Sequence, residues 1–167
     1  MEEVGDYALV TFGMDPEAFL FKDGKVIGAE KVIPARGLKL PFWGRRPPSI
    51  VLDGVQLELN TNPYSCRESV GRNLRTIFQT LDGTLKQKGV ELSLDTLVTV
   101  GKKEFDSLSP KSKQLGCMPT FNVYTRGPSH IRVNPMTYRK RSAGGHLHLG
   151  LEKNLRNEEA AKRLIKL

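Results

Sequence analysis

Two of the chain's three histidines stand one residue apart in the run Ser142 to Gly150, SAGGHLHLG, with glycines on both sides. On a strand, His146 and His148 project from the same face, so both imidazoles can share one metal ion or touch two parts of one ligand. Gly144, Gly145 and Gly150 leave room for another group to approach the backbone. The same spacing also suits the solvent-facing side of an edge strand, and a lone HxH does not choose between these readings.

Two carboxylates add to the histidines. Glu58 lies in VQLELN, where Val55, Leu57 and Leu59 alternate strictly with Gln56, Glu58 and Asn60. That alternation predicts a strand with one apolar face and one oxygen-rich face, the ligand chemistry that hard cations such as Mg²⁺ prefer. Glu17 follows Asp15-Pro16 in GMDPEAFLF. Proline pushes the residue before it out of the α region, so a kink or bulge is expected there, aiming Glu17 away from a regular ladder. Arg141 directly precedes the histidine strand and is well placed to hold phosphate oxygens; Arg132 and Arg139 are further candidates. The chain contains no GxxxxGK(S/T), GxGxxG, GxSxG or HExxH run. With three histidines and no CxxC, a structural zinc site is not expected.

The elements that must position these groups are legible as a series of hairpins and helices. Asp23-Gly24 in FKDGKV and Asp53-Gly54 in VLDGVQ each sit between extended runs and predict hairpin turns. Val70, Leu74, Ile77, Phe78 and Leu81 predict an amphipathic helix within residues 65–88, stopped near Gly89. Val90 to Val100 reads as a strand bent at Asp95, and residues 103–127 as polar and turn-rich. Residues 34–48, with four prolines, read as a long irregular loop of the kind that carries function. Asn157 is the expected cap of a helix running to Leu167. Antiparallel hairpins with a long central helix and a terminal one predict an α+β domain, its sheet polar on one face and covered by helices on the other.

Composition fits a single domain over residues 1–167. The chain is 38% hydrophobic and 26% charged, which is globular rather than disordered. No apolar run reaches the roughly 18 residues of a membrane helix, and the acidic start lacks the basic-then-apolar pattern of a signal peptide. A cytoplasmic protein with no membrane partner is expected, with Cys66 and Cys117 as free buried thiols. The net charge of +8 points to an anionic partner, but no basic tail or nucleic-acid-binding motif accompanies it.

Four pieces, GMDPEAFLF, IVLDGVQLELN, GCMPTFNVY and RSAGGHLHLG, occur in an order that resembles the phage-type COOH–NH2 amidoligases, relatives of glutamine synthetase and glutamate–cysteine ligase. Members of that family are similar in a G-(T/M)-DPE-x-F opening, a D-G-x-x-x-E-x-N strand and an R-(S/T)-A-G-G-H-x-H-x-G strand. The resemblance spans Phe12 to Gly150, and its last motif is the most specific. It implies a glutamine-synthetase-type antiparallel sheet whose polar face holds ATP with Mg²⁺ or Mn²⁺. It also implies ligation of a small-molecule, peptide or protein carboxylate to an amine through an acyl phosphate. On that resemblance Glu17, Glu58, His146 and His148 are the expected metal ligands. Glu58, Asn60, Arg141 and His148 are the expected contacts to ATP, and Arg141 and His146 the expected catalytic pair. Asp15 matches a motif position without an implied role.

Relatives of this kind continue well beyond the histidine strand, whereas this sequence runs about seventeen residues past Gly150. A truncated domain, or one completed by a partner chain or a second copy, is therefore the expectation, with the host cytoplasm as its location if the chain is phage-encoded. Two other readings stand beside the ligase. One is a metal-dependent phosphodiesterase or nuclease. The other is a non-catalytic basic phage protein of binding or assembly.

Overall fold

A computed structural model describes residues 10–39, 48–115, 121–122, 127–128 and 133–150. The expected terminal helix from Asn157, Cys117, Arg132, much of GCMPTFNVY and the middle of the proline-rich loop lie outside these residues; Cys66, expected to be buried, is a free thiol on the exposed surface.

Twelve short strands and three helices are described. In chain order they are β1 (Thr11–Met14), β2 (Glu17–Lys22), β3 (Lys25–Ile27), β4 (Leu38–Lys39), β5 (Ser49–Asp53) and β6 (Gln56–Asn60). Helix α1 (Arg67–Lys86), β7 (Glu91–Ser93), β8 (Leu97–Thr99), α2 (Lys102–Ser107) and α3 (Pro110–Lys113) follow. The last are β9 (Phe121–Asn122), β10 (Gly127–Pro128), β11 (Lys140–Ser142) and β12 (Leu147–Gly150). All the strand pairings are antiparallel, and the class is α+β.

The main sheet runs β3–β2–β6–β5–β4, with β7 also pairing with β2. β1, which pairs with β12 outside this sheet, runs into β2 through a break at Asp15-Pro16, as the sequence predicts. Chain continuity there is kept by backbone bonds on both edges. Leu59 N–H donates to Pro16 O at 3.0 Å, and Asp15 N–H to His146 O at 3.3 Å. Beyond the kink β1 pairs with β12, Gly13 opposite His148 and Met14 opposite Leu147.

Both predicted hairpins form, by different turns. Asp23 (φ +50°) and Gly24 (φ +70°) are the loop between β2 and β3, where Lys22 faces Lys25. Positive φ at both positions is the type I′ requirement that Asp-Gly satisfies cheaply. Between β5 and β6, Asp53 instead pairs with Gln56, so the loop is Gly54-Val55 with Gly54 at φ +59°. That is the type II′ pattern, one residue later than Asp53-Gly54. Asp53 thus belongs to the ladder.

Side-chain alternation gives the sheet two different faces. Leu20, Ile50, Leu57 and Leu59 pack under α1 against Ile77, Leu81 and Leu85, all essentially inaccessible. The buried line of α1 is Val70, Asn73, Ile77, Leu81 and Leu85, with Leu74 and Phe78 half-buried. Burying each of these large side chains contributes about 1.5–3 kcal/mol relative to leaving it exposed. The helix ends where Gly89 takes φ +62°, with Gly89 N–H bonded to Lys86 O and Val90 N–H to Leu85 O, the Schellman pair of bonds.

On the opposite face a second core holds Phe19, Val26, Val55, Val98, Val100, Phe105 and Leu108. It is built from β8, β11 and α2 laid over one end of the sheet. The segment 90–100 is therefore not one bent strand. It is two strands with different partners, β7 on β2 and β8 on β11. The turn-rich segment after it contains α2 and α3; Ser109 caps α3, its side chain accepting from Ser112 N–H, with Pro110 in the first turn.

Candidate metal and ligand site

The register places the carboxylates. Glu17 on β2 faces Glu58 on β6, and Glu58 faces Val51 on β5. Asp53 lies two residues along β5 from Val51 and so shares that face. One carboxylate oxygen from each of Glu17, Asp53 and Glu58 can be chosen so that all three lie within 4.8 Å of one another. All three residues are half-buried, because this polar strip begins where the second core ends. Glu17 is the most constrained: its N–H donates to Gly144 O at 3.0 Å, and Gly144 N–H donates back to Glu17 Oε2 at 2.7 Å. Burial raises the Glu17 pKa; the Gly144 hydrogen bond opposes this, while the charges of Asp53 and Glu58 add to the rise. No cation of the protein is paired with any of the three among the described residues.

Asp53 is the residue the sequence reading missed. Taken as half of an Asp-Gly turn, it has no defined face. Shifting the turn to Gly54-Val55 puts it on the strip with Glu58, and it takes Val55 out of the expected alternation: Val55 lies in the second core while Leu57 and Leu59 lie in the first.

The histidines do share a face, as their spacing predicts, but what they meet is Asp15. His148 Nε2 lies 2.8 Å from Asp15 Oδ2, His146 N–H donates to Asp15 Oδ1 at 2.7 Å, and His146 Nδ1 is 3.4 Å from the same oxygen. Asp15 itself is buried, while the two imidazoles are more than half exposed. Burial would raise the Asp15 pKa; the hydrogen bonds from His148 and the His146 backbone, with the two imidazole charges, outweigh it and leave the carboxyl below its ordinary value. Of the two glycines before the pair, Gly145 is required by contact, whereas Gly144 has open space around it. A Cβ on Gly145 would sit 2.9 Å from Pro16 Cα, closer than packed atoms come. The structure thus gives Asp15 a role that the motif match lacks, and it groups the histidines with Asp15 rather than with Glu17 and Glu58.

Arg141 is buried, and its terminal nitrogens are already engaged. Nη1 donates to Tyr138 O and Lys140 O, and Nη2 to Lys113 O at 2.7 Å and Pro135 O at 3.2 Å. The guanidinium lies 5.1 Å from the Phe105 ring centroid, a cation–π contact. In this arrangement Arg141 ties β11 to α2, α3 and the turn before β11. It does not present an open fork to a phosphate. Arg139 likewise donates to a carbonyl, that of Val100, at 3.3 Å. Asn60, paired with Ser49, sits half-buried at the far end of the strip. Gln56 is internal and donates from Nε2 to Ser142 O at 3.1 Å, joining the sheet to β11.

Beside Glu17 and Asp53 opens a cavity of about 440 Å³. Gln56, Leu97, Gln114, Leu115, Val133, Tyr138, Lys140, Arg141 and Ser142 contribute to its wall. The fold and site together define an α+β protein with a carboxylate triad, two of whose members, Glu17 and Asp53, line a mixed polar and apolar cavity. The chain matches no family model, no curated protein and no solved structure. Among the described residues, no helix is long and apolar enough to cross a membrane.

Proposed function

We propose that the chain is an ATP- and divalent-cation-dependent carboxylate–amine ligase of the glutamine-synthetase type. The observation that carries this reading is the convergence of Glu17, Asp53 and Glu58 within 4.8 Å. Two of these are the carboxylates of the amidoligase-like motifs, and the third is the aspartate of the same D-G-x-x-x-E-x-N run. The donor set fits Mg²⁺ or Mn²⁺: three hard oxygen ligands, half-buried, with no cation paired to them among the described residues. Glu17, Asp53 and Glu58 would hold the ion, which when bound supplies charge neutralisation for phosphoryl transfer.

The reaction balances as follows. A carboxylate oxygen attacks the γ-phosphorus of ATP, the bond to the bridging oxygen breaks, and ADP leaves. The amine nitrogen then attacks the acyl carbon, inorganic phosphate departs, and the amine's proton passes to solvent. What this chain's residues contribute is position. The reciprocal Gly144 bonds fix Glu17, and Asp15 fixes the orientation of both imidazoles at the neighbouring edge.

The test is a melting experiment on the full chain. Mg²⁺ with ATP is expected to raise the melting temperature, and Glu58→Gln to abolish the rise. The absence of any ATP-dependent shift in the intact protein would sink the reading. Mg²⁺-dependent cleavage of DNA would move the assignment to a phosphodiesterase.

A further inference from the structure

The cavity beside the triad has a chemistry of its own. At about 440 Å³ it lies toward the small end of ligand clefts, which span roughly 300–1,000 Å³. Glu17 and Asp53 are part of its lining. The rest of its wall includes Leu97, Leu115, Val133 and Tyr138, and three of these are exposed to it as large apolar surfaces: Leu97 62%, Val133 40% and Tyr138 39% accessible. Two cations line it. Arg141 is held by four backbone carbonyls, whereas Lys140 makes no hydrogen bond or ion pair among the described residues and is exposed.

Lys140 faces Thr99 across the β8–β11 pair, and Ser142 faces Leu97. Alternation therefore puts Lys140, Ser142, Leu97 and Thr99 on one face of this ribbon, with Arg141 turned to the other. Among the described residues of its lining, an unpaired ammonium, an apolar wall and two carboxylates suit a molecule with one carboxylate and a hydrocarbon body better than a polyanion such as a triphosphate.

We infer that this cavity is the carboxylate-substrate subsite, and that it takes a small carboxylate with an apolar body, of the class of a hydrophobic amino acid or a peptide C-terminus. Lys140 binds the carboxylate, and Leu97, Leu115 and Val133 receive the side chain. This assignment rests on the ligase reading for its place in a reaction, but its binding chemistry can be tested separately.

The probes are N-acetyl-leucine, its amide, and N-acetyl-glycine, titrated calorimetrically into the full chain with Mn²⁺ present. N-acetyl-leucine is expected to bind, and both the amide and the glycine analogue to bind about tenfold more weakly or worse, the scale of losing one charged hydrogen bond or a buried side chain. Lys140→Met should abolish the preference for carboxylate over amide, and Lys140→Arg should keep it. Lys140 is exposed on its strand, so both variants should melt at the wild-type temperature without ligand. Equal affinity for acid and amide, or no binding of either, would overturn the subsite. Mn²⁺ binding is measured in the same titrations. Its absence would sink the ligase reading, and the comparison of acid with amide would then still decide the subsite.

Discussion

Asp15 and Glu17 are two residues apart on the same kinked strand, and their surroundings are opposite. Asp15 is met from above by His146 and His148 and is held below its ordinary pKa. Glu17 is met by two further carboxylates, Asp53 and Glu58, and is raised above its own. Pro16 separates them, turning the chain so that one acid closes the β1–β12 edge and the other opens on the polar face. A charge whose partners are all present holds the fold together. A group of like charges with none is a cost the fold carries, and a site for something that is not protein is where such a cost has a use.

The largest expected effect belongs to a buried charge whose two terminal nitrogens are engaged while its Nε has no partner. Arg141→Ala removes four hydrogen bonds to carbonyls and the contact with Phe105, leaving buried acceptors without partners. It should lower the unfolding free energy by more than about 2 kcal/mol in urea titration. Unchanged stability, with weaker ATP binding, would instead make Arg141 a phosphate ligand. Next is Asp15→Ala, expected to cost about 1–3 kcal/mol while Mn²⁺ binding is retained. Loss of the ion with Asp15 would erase the distinction between the two acids. Gly145→Ala acts on the same edge through its clash with Pro16, and a loss of about 1–3 kcal/mol is expected.

The smallest effect has the opposite sign. Glu17→Gln removes like-charge repulsion, so in EDTA at neutral pH it should stabilise the protein by about 0.5–1 kcal/mol, allowing for solvent screening of half-buried groups. The pH dependence separates the pair further. Asp15 has a lowered folded pKa, so its stabilisation is present above its ordinary value of 3.8 and is lost as pH falls through the folded value. Glu17 has a raised folded pKa, so its penalty appears as pH rises from its ordinary value of 4.5 through the folded value. The advantage of Glu17→Gln should therefore vanish below about pH 4.5 in urea titrations run from acid to neutral pH. An advantage that persists in acid would contradict the origin given to it.

Much of this arrangement was legible in residue order. Period-two alternation put Glu58 on a polar face and both histidines on one side, and Asp15-Pro16 announced the kink. What the sequence could not convey is which polar groups meet. Asp53 was hidden because Asp-Gly is a turn signal wherever it occurs, and a one-residue shift of the turn decides whether the aspartate is loop or ladder. Arg141 read as a phosphate ligand because a strand arginine before glycines looks exposed. Its burial depends on Phe105 and on carbonyls from Lys113, Pro135 and Tyr138, none of which local pattern can bring together. The break between β7 and β8 was half visible at Asp95, but their separate partners are a matter of tertiary pairing.

The comparison turns on whether the unpaired acids bind a cation, and Asp53 is the residue to ask. Mn²⁺ titrated calorimetrically into wild type and into Asp53→Asn measures it directly. Wild type should bind one ion with Asp53→Asn at least about tenfold weaker, the scale of one lost charged ligand, while His148→Ala leaves the affinity unchanged. An affinity that survives Asp53→Asn but is lost with His148→Ala would place the cation at the histidines, and no binding in wild type would leave the triad without the role assigned to it.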